Sequence, residues 1–381
     1  MNRAESARIS VLHITESSGG VQTYLSAFLR YRDRSGFVHS LMAPPDSAVF
    51  KGASGLFDAV YPLPMEREIS PAKDLKAIFR LTGFLRKNTF DVIHVHSSKA
   101  GLIGRMGAWL AGHRRVVFQP HGFSFLLFEG RKATLARFWE RLAGRWFTKA
   151  LIATSPSEAE RARNDAGIPG AKVVVIANGI DCERLEPIVQ KPAARDAETG
   201  FVLLAARLMR SKNPMMFARI AQLIVKRKPT ARFVLIGTGY HDELQDSMRE
   251  YIKNNALEGV LTVLPWMDYE KMQDYVKRCA VYVSTSISEC FGYAVVEAMY
   301  HGKPVVGTLI DGTRDLVLQD ETGLLVASND DEAMADRVLH LLESRMLREV
   351  YGALGRKRVE ELYDARKNIT LLETLYRKLS G

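Results

Sequence analysis

The sequence predicts an α/β protein built from two doubly wound parallel-sheet domains. Its 381 residues are more than one hydrophobic core usually organises, so the length favours two domains. Short β-branched runs alternate with longer amphipathic segments, first up to residue 177 and again after residue 200. This alternation is typical of parallel strands that are joined by crossover helices.

Six strands are predicted in each half of the chain. They cover residues 8–15, 37–43, 92–97, 116–120, 150–155 and 173–177, and then 201–206, 233–237, 261–264, 281–286, 305–308 and 324–327. Residues 182–200 lack a clear period and contain prolines, which indicates an interdomain connection, and beyond residue 330 the pattern is helical. We expect a first domain over 1–185, a linker over 186–200, a second domain over 201–362, and a C-terminal helix over 363–381 that crosses back to the first domain.

Composition and cysteine usage predict a soluble cytoplasmic protein. Apolar residues make up 47% and charged residues 25% of the chain, which are ordinary values for a globular protein. No run approaches the roughly 18 apolar residues of a spanning helix, and residues 1–8 lack the apolar core of a secretion signal. The three cysteines follow no metal-ligand spacing and cannot all pair with one another, so we expect reduced thiols.

The net charge of +10 is concentrated in the first half of the chain. Residues 1–190 carry 26 Lys and Arg against 17 Asp and Glu, whereas residues 191–381 carry 27 against 26. A basic half fits nucleic acid, anionic lipid headgroups or a phosphorylated substrate, and composition alone leaves all three open.

Glycines follow a strand in each half, at places where a helix is predicted to begin. Gly19 and Gly20 follow the first strand, and Gly237 and Gly239 occupy the corresponding place in the second half. Bare backbone amides at a helix N-terminus can approach a phosphate group. Tight turns without a ligand are the alternative.

Two cations follow the first strand of the second half. Arg207 ends that strand, and Lys212 precedes a helix that Ser211 or Asn213 could cap. An arginine fork and a lysine point charge at a helix entrance are suited to holding a diphosphate. Solvated surface cations are the alternative.

Histidines stand at and near a strand end in the first half. His121 closes the strand over 116–120, where it could donate to a substrate oxygen or exchange a proton near neutral pH. His94 and His96 alternate along an earlier strand. Because no third ligand lies nearby in sequence, we interpret them as packed or surface histidines rather than a metal site.

Two glutamates, Glu289 and Glu297, flank a predicted strand-to-helix junction. Glu289 belongs to the turn and Glu297 to the helix. On a single helix they would stand roughly 80° apart and about 12 Å apart in height, too far to share a proton. The pair therefore suits two separate polyhydroxylated parts of one long ligand, such as a sugar and a ribose.

Taken together, these features resemble the retaining glycosyltransferases of family 4, which have the GT-B fold of two Rossmann-like domains facing a central cleft. The resemblance covers nearly the whole chain. The matching elements are residues 19–20, 91–96, 120–122, 155–157, 178–181, Arg207 with Lys212, 237–239, 289–297 and 322–326.

The resemblance implies a nucleotide-sugar donor held by the second domain and an acceptor bound by the first. It implies that Arg207 and Lys212 neutralise the donor diphosphate, that Glu297 binds the ribose hydroxyls, and that Glu289 contacts the transferred sugar. It further implies roles for the Phe291 and Gly292 backbone beside the sugar, for Gly20 near the diphosphate, and for His121 beside the reacting centre. No cofactor and no metal ion are expected, since cations of the protein replace the metal.

The implied chemistry is a retaining transfer. Negative charge grows on the leaving diphosphate, and Arg207, Lys212 and helix-terminal amides would stabilise it. Front-face attack, in which the departing phosphate oxygen takes the acceptor's proton, is the favoured route. A double displacement through a glutamyl nucleophile is the alternative.

Two departures from the family pattern bear on donor choice. Cys290 stands where the family often has glycine, which adds a side chain beside the donor sugar. Trp266 follows a strand at a place where the family often has an apolar residue near the base, so it could stack on uracil or pack in the core. We favour UDP over GDP as the carrier, and the transferred hexose is left open.

Basic amphipathic segments predict contact with an anionic membrane surface. Residues 73–87 and 123–145 combine Lys and Arg with Leu, Phe and Trp. Related enzymes often extend polyprenyl-linked sugars, so we expect a glycan or polyprenyl-linked acceptor and peripheral contact with the inner face of the membrane. Ordinary core faces with solvated cations are the alternative.

Other functions share this architecture. A sugar-nucleotide 2-epimerase would need no acceptor, and a glycogen-phosphorylase-like protein would need a lysine-bound pyridoxal phosphate, for which we find no motif. A non-enzymatic ligand-binding or nucleic-acid-binding module is a further alternative. Nucleic acid is disfavoured because the basic residues are dispersed and lack accompanying stacking aromatics.

Overall fold

The computed structural model describes residues 8–16, 20–53, 55–66, 70–190, 200–238 and 242–381. The chain divides into two compact units. Unit 1 comprises Met1–Gly179 with Ala365–Gly381, and unit 2 comprises Ile180–Asp364. Each unit is built on its own sheet.

The strands of the described residues form two parallel sheets. In chain order they are β1 (Ile9–Ile14), β2 (Phe37–Ala43), β3 (Ala59–Pro62), β4 (Val92–His96), β5 (Val116–Gln119), β6 (Ala150–Ala153), β7 (Val173–Val175), β8 (Val202–Ala205), β9 (Phe233–Thr238), β10 (Leu261–Pro265), β11 (Val281–Ser284), β12 (Val305–Thr308) and β13 (Gly323–Val326).

The helices connect these strands and follow the last of them. They are α1 (Gly20–Tyr31), α2 (Ala48–Gly52), α3 (Pro71–Leu85), α4 (Ser98–Leu110), α5 (Gly130–Trp146), α6 (Pro156–Asn164), α7 (Cys182–Gln190), α8 (Pro214–Arg227), α9 (Asp242–Asn254), α10 (Tyr269–Arg278), α11 (Tyr293–Tyr300), α12 (Asp311–Leu316), α13 (Asp331–Glu343), α14 (Arg345–Leu362) and α15 (Ala365–Ser380).

The sheet of unit 1 has the order β3-β2-β1-β4-β5-β6-β7, and every neighbouring pair is parallel. The strand order reverses between β1 and β4, which is where ligands bind in doubly wound sheets. The sequence prediction missed β3, a four-residue edge strand with no fully buried side chain. Without buried alternating residues, a short edge strand leaves little periodic signal.

The two faces of this sheet are covered by different helices. On one face, the core includes Ile78 and Leu81 of α3 and Ile103 of α4. On the other face, it includes Phe28 of α1 and Tyr376 of α15. The helix that ends the chain is thus part of the core of unit 1.

The sheet of unit 2 has the order β10-β9-β8-β11-β12-β13, again with every pair parallel. Its core includes Phe217 of α8, Phe233 of β9 and Val338 of α13. Two parallel sheets with crossover helices confirm the predicted fold class.

The predicted connection between the domains is partly helical. Residues 182–190 form α7, which begins where the Asp181 carboxylate accepts a hydrogen bond from the Arg184 amide at 2.9 Å. Pro187 lies inside this helix and obscured its periodicity in the sequence. Residues 191–199 of the predicted linker lie outside the described residues.

Candidate functional site

The loops after β8 and β11 meet at the carboxyl edge of the unit 2 sheet, where these two strands are neighbours. Lys212 stands in the 3-10 turn Arg210–Lys212 that leads into α8, and Glu289 lies in the loop that precedes α11. The Lys212 ammonium and the Glu289 carboxylate form an ion pair, and each side chain is about four-fifths buried. The sequence predicted separate partners for these residues, and the structure pairs them directly.

Backbone contacts hold this pair in place. The Thr285 hydroxyl donates to the Lys212 carbonyl at 2.7 Å, and the Ile287 amide donates to the Ser211 carbonyl at 2.8 Å. The Gly312 amide donates to the Glu289 carbonyl at 3.0 Å. The two charged groups therefore sit on loops whose backbones are fixed to one another, which is the pre-organisation that charge stabilisation requires.

Arg207 follows β8 in the same connection as Lys212, and its side chain is exposed. An ammonium has three N–H donors and a guanidinium has five. After Lys212 has donated to Glu289, both side chains thus keep donors for a further anion. This edge can neutralise a phosphate group without losing its internal ion pair.

The backbone conformation and close packing at Gly237 require glycine. It lies in β9 with φ +149°, and a Cβ at this position would stand 1.9 Å from the Ala206 carbonyl oxygen. The Ala206 amide donates to the Ile236 carbonyl at 2.9 Å. The close approach of β9 to the backbone that leads into Arg207 therefore requires a residue without a side chain. Gly239 lies outside the described residues.

Glu297 is anchored inside unit 2. It lies in α11 with 6% of its surface exposed, and it accepts hydrogen bonds from the Tyr269 hydroxyl at 3.0 Å and the Gln273 amide at 2.7 Å. His301 bonds the Gln273 carbonyl oxygen at 2.9 Å. Burial raises the pKa of the Glu297 carboxyl to about 7, against the lowering effect of its two donors.

Tyr269 and Gln273 were missed by sequence reasoning. They are four residues apart and both lie in α10, a spacing that places them on one helix face. Nothing in a single sequence indicates that this face packs against α11, so no local signal could have identified them as partners of Glu297.

Glu289 and Glu297 occupy a loop and a helix, as predicted. Glu289 pairs with a lysine of the β8 connection, and Glu297 bonds side chains of α10. The two carboxylates have different partners and different burial. They do not act as one acid/base dyad.

The residues that follow Glu289 differ in how far they are buried. Phe291 is buried and makes edge contacts with Tyr293 and Tyr363, whose ring centroids lie 5.0 and 5.7 Å away. Gly292 is buried and caps α11, whereas Cys290 is half-buried. The Phe291 ring packs in the core. Only the backbones of Phe291 and Gly292 are therefore suited to bind a ligand.

Trp266 follows β10 directly and is 43% exposed. The core-packing interpretation of this residue is therefore wrong. An exposed indole at the carboxyl edge of the sheet is available for stacking.

At the carboxyl edge of the unit 1 sheet, Gly20 begins α1 after β1, and its position is exposed. Gly19 lies outside the described residues. His121 follows β5 with φ 50°, a left-handed conformation that is unusual for a residue with a side chain. The next amide, that of Gly122, donates to Glu158 at 2.7 Å, which fixes the turn.

The His121 imidazole is neutral at physiological pH. Burial lowers its pKa to about 3, and its Nε2 lies 3.2 Å from Nδ1 of His96. Neutral imidazole can donate or accept a hydrogen bond, but it does not exchange a proton near pH 7. Of the two roles predicted for His121, proton exchange is therefore disfavoured, and donation to a substrate oxygen stays a prediction.

His94 and His96 are fully buried in β4, so the surface interpretation of these residues is wrong. Cys182, Cys279 and Cys290 are thiols, as predicted. Within the described ranges, no helix has the length and apolar character needed to cross a membrane.

Two family models match the chain in succession. Residues 18–184 match the model described as Glycosyltransferase Family 4, and residues 187–358 match that described as Glycosyl transferases group 1. The matches fall on the N-terminal and C-terminal halves.

Curated relatives align over most of the chain. A UDP-Gal:alpha-D-GlcNAc-diphosphoundecaprenol alpha-1,3-galactosyltransferase from Escherichia coli is 28% identical over 318 residues, which are 81% of either chain. The capsular polysaccharide biosynthesis glycosyltransferase CapM from Staphylococcus aureus is 25% identical over 327 residues, covering 82% of this chain and 83% of the relative.

Solved structures share the fold over nearly the full length. A glycosyltransferase from Rickettsia africae has a TM-score of 0.82 at 17% identity, covering 98% and 99% of the two chains. Anabaena Alr3699/HepE in complex with UDP and glucose has a TM-score of 0.79 at 20% identity, covering 97% and 99%. At these identities the likeness is one of fold.

Proposed function

Since the chain belongs to the GT-B glycosyltransferases, with a family 4 half followed by a group 1 half, we propose that it is a retaining enzyme that transfers a hexose or N-acetylhexosamine from a UDP-sugar. The acceptor is a glycan or a polyprenyl-linked glycan, and the pathway is the synthesis of a surface polysaccharide. The named activities of the Escherichia coli and Staphylococcus aureus relatives support this assignment.

The Lys212–Glu289 ion pair, formed by the same connection that contains Arg207, carries this proposal. Parallel sheets bind ligands at their carboxyl edge. Here that edge combines two cations for a diphosphate with a carboxylate for sugar hydroxyls. The exposed Trp266 and the Anabaena structure with UDP support uracil as the base.

In the proposed reaction, the bond from the anomeric carbon to the diphosphate oxygen breaks while the acceptor oxygen attacks the same face. The acceptor hydroxyl proton passes to the departing phosphate oxygen, so the configuration is retained. Arg207 and Lys212 stabilise the charge that develops on the diphosphate, and no metal ion is required. A glutamyl nucleophile is disfavoured because Glu289 is engaged by the Lys212 ammonium.

Three further residues are assigned to donor binding. We assign Glu297 to the ribose hydroxyls. Their hydrogen bonds to the carboxylate would replace or supplement those from Tyr269 and Gln273. Gly20 and the neutral His121 are assigned to the diphosphate and the transferred sugar.

A thermal-shift screen of nucleoside diphosphates and nucleotide sugars tests the donor assignment. UDP and a UDP-sugar should stabilise the chain, and Arg207→Ala should remove that stabilisation. Stabilisation by GDP alone, or by none of the compounds, would contradict it.

Product analysis tests the reaction. Release of UDP should depend on added glycan acceptor, and the product should keep the anomeric configuration of the donor. Omission of Mg²⁺ and Mn²⁺ should leave the rate unchanged. Acceptor-independent conversion of the UDP-sugar would instead identify an epimerase.

We also propose that unit 1 contacts an anionic membrane surface. On α5, exposed apolar side chains recur on one face at spacings of three or four residues. They are Leu135, Phe138, Leu142 and Trp146. Exposed cations on the same helix flank this stripe, namely Arg131, Lys132, Arg141 and Arg145. An apolar stripe bordered by cations suits the boundary between lipid headgroups and acyl chains.

A second predicted segment, α3, exposes Leu75 and Phe79 beside Lys76 and Arg80. Lys73 pairs with Glu66, so it contributes less free charge than the sequence suggested. The α5 stripe is therefore the stronger candidate for membrane contact.

Flotation with anionic vesicles tests this surface. The wild-type chain should float, and a Phe138→Ser/Trp146→Ser variant should stay in the soluble fraction. Charge reversal at Lys76 and Arg80 tests whether α3 contributes to vesicle binding. Equal flotation of all variants, or no flotation of the wild type, would end the proposal.

A further inference from the structure

Among the residues that the structure describes, five histidines lie together in the interior of unit 1. They are His13 in β1, His39 in β2, His94 and His96 in β4, and His121 after β5. The first four are fully buried. Burying polar rings costs free energy unless their nitrogens are satisfied, so a cluster of this size in a core calls for an explanation.

Three of these histidines converge. His13 and His94 are direct cross-strand neighbours, and His96 follows His94 on the same face of β4. One ring nitrogen from each of the three lies within 4.8 Å of the other two. His13 Nδ1 and His96 Nε2 are only 3.1 Å apart.

We propose that His13, His94 and His96 bind one transition metal ion in the core of unit 1. Neutral imidazole suits Zn²⁺ and copper, and hard ions such as Mg²⁺ prefer oxygen. With Zn–N bonds of about 2.0–2.1 Å, two ligand nitrogens of a tetrahedral site stand about 3.3 Å apart. The His13–His96 separation already matches, and the third nitrogen has to move inward by about 1.5 Å at most.

The outward nitrogens of the three rings support this arrangement. His13 Nε2 lies 3.1 Å from His39 Nδ1, and His96 Nδ1 lies 3.2 Å from His121 Nε2. His94 Nδ1 contacts the Tyr376 hydroxyl. Metal-bound histidines usually donate their second N–H to such a partner, which fixes the ring and its tautomer. One protonation pattern satisfies all three contacts and leaves His13 Nδ1, His96 Nε2 and His94 Nε2 for the ion.

One of these three nitrogens is poorly satisfied without an ion. A single hydrogen between His13 Nδ1 and His96 Nε2 satisfies both, whereas His94 Nε2 is buried and makes no hydrogen bond of ordinary geometry among the described residues. An unsatisfied buried nitrogen is costly. A bound metal ion would accept all three lone pairs at once.

Gln119 can supply a fourth ligand. It is the register partner of His96 on β5, and its side chain interacts with His94. Its amide nitrogen donates to Asn178 at 3.2 Å, and its Oε1 is buried without a partner of ordinary geometry in the described chain. Because all four ligands are neutral, Cu⁺ would bury less charge than Zn²⁺, and both ions belong in the test.

Metal analysis of the full chain tests the proposal without any assay of activity. The protein is stripped with a chelator, equilibrated separately with Zn²⁺, Cu⁺ or Co²⁺, desalted and analysed. We expect one ion per chain and, for Co²⁺, the visible absorption of a tetrahedral nitrogen site. Long-range ¹H–¹⁵N spectra of the wild-type chain should show shifts at His13, His94 and His96 on addition of Zn²⁺.

Variants locate the site. His94→Gln should abolish stoichiometric binding, and Tyr376→Phe, which removes only the outer hydrogen bond, should weaken it about 10- to 100-fold. His113→Gln, at a half-buried histidine outside the cluster, should bind as the wild type does. If His94→Gln does not fold, the wild-type spectra and Tyr376→Phe still decide the question. Absence of bound metal, shifts confined to other histidines, or unchanged binding by Tyr376→Phe would overturn the proposal.

Discussion

The carboxyl edges of the two sheets carry different polar groups. Unit 2 has an ion pair there between Lys212 and Glu289, and the exposed Arg207 lies in the same connection as Lys212. Unit 1 has His121, whose imidazole is kept neutral by burial and is linked to further buried histidines, together with the buried Glu158 carboxylate. Two sheets of the same construction thus present a lysine–glutamate ion pair at one edge and a neutral imidazole near a carboxylate at the other.

The difference indicates that the two edges suit different parts of the substrates. A charged edge suits a diphosphate, on which negative charge grows as the sugar leaves. A neutral imidazole suits sugar hydroxyls, which are bound by directional hydrogen bonds without charge. Variants at each edge therefore test separate functions, and their expected effects differ in size.

Lys212→Ala should have the largest effect. It removes a cation from the proposed leaving group and leaves the Glu289 carboxylate without its partner, so kcat/KM should fall about 100- to 1,000-fold. Steady-state assays of UDP release measure the loss. Arg210→Ala, an exposed neighbour in the same turn, is the matched control and should stay near wild type.

A double variant separates chemistry from structure. Lys212→Ala/Glu289→Gln should regain stability relative to Lys212→Ala, because no unpaired carboxylate remains, yet it should not regain turnover. Recovery of the rate in the double variant would mean that the charged edge is only structural.

Glu297 should make unit 2 less stable as pH rises. Burial raises its folded-state pKa from 4.5 to about 7, so the folded chain binds more protons than the unfolded chain between these values. Across that range the Glu297 contribution to stability should fall by about 3 kcal/mol and then level off, since each pKa unit corresponds to about 1.4 kcal/mol. The buried His301 acts in the opposite direction, because burial lowers its pKa to about 4, so the Glu297 effect is measured as a difference between variants.

Urea unfolding at pH 5 and pH 8 measures this effect. From pH 5 to pH 8, the stability of the wild type relative to Glu297→Gln should fall by most of this amount, whereas its stability relative to Glu321→Gln, at an exposed position of the same unit, should not change. An identical pH dependence in wild type and Glu297→Gln would show that this carboxyl does not titrate as its burial implies.

Gly237→Ala should damage the charged edge through the backbone. Its Cβ would collide with the Ala206 carbonyl oxygen, and we expect a loss of about 2 kcal/mol. Gly83→Ala is the control, because it lies inside α3 and no described heavy atom stands within 4 Å of the added Cβ. That variant should gain about 0.5–1 kcal/mol. Equal melting temperatures of the two variants would contradict the backbone explanation.

Trp266→Ala should have the smallest effect. Loss of one stacking ring on a base is worth about 1 kcal/mol at an exposed site, so the Kd for UDP should rise about fivefold. Binding of pyrophosphate should be unchanged, and Trp146→Ala on α5 of unit 1 should alter neither. Calorimetric titration distinguishes these outcomes, and an equal loss for UDP and pyrophosphate would exclude stacking as the cause.

The parallel sheets were predictable because the hydrophobic periodicity of strands and helices depends on residues that are close in sequence. The location of Arg207, Lys212 and Glu289 at the carboxyl edge was predictable because they follow strands, and strand ends share one edge of a parallel sheet. The Lys212–Glu289 ion pair was not predictable, because it joins residues 77 positions apart. Sequence spacing carries no information about such a contact.

The histidine cluster shows the same limit. His94 and His96 were judged without His13, which lies 83 positions before His96 and reaches it only through the pairing of β1 with β4. Nothing in the sequence groups His39 with these residues, because it lies in another strand, β2. A hydrogen-bonded core of this kind becomes visible only when the strand order is known.

The helix α15 has a consequence for how the chain is made. Its Leu372 and Tyr376 are buried in the core of unit 1, although the ribosome produces them after all of unit 2. During synthesis one face of the unit 1 sheet is therefore only partly covered, by α1 without α15, until residues 365–380 have emerged. Nascent chains halted before that point should expose apolar surface to chaperones even when every strand of both sheets has already been translated.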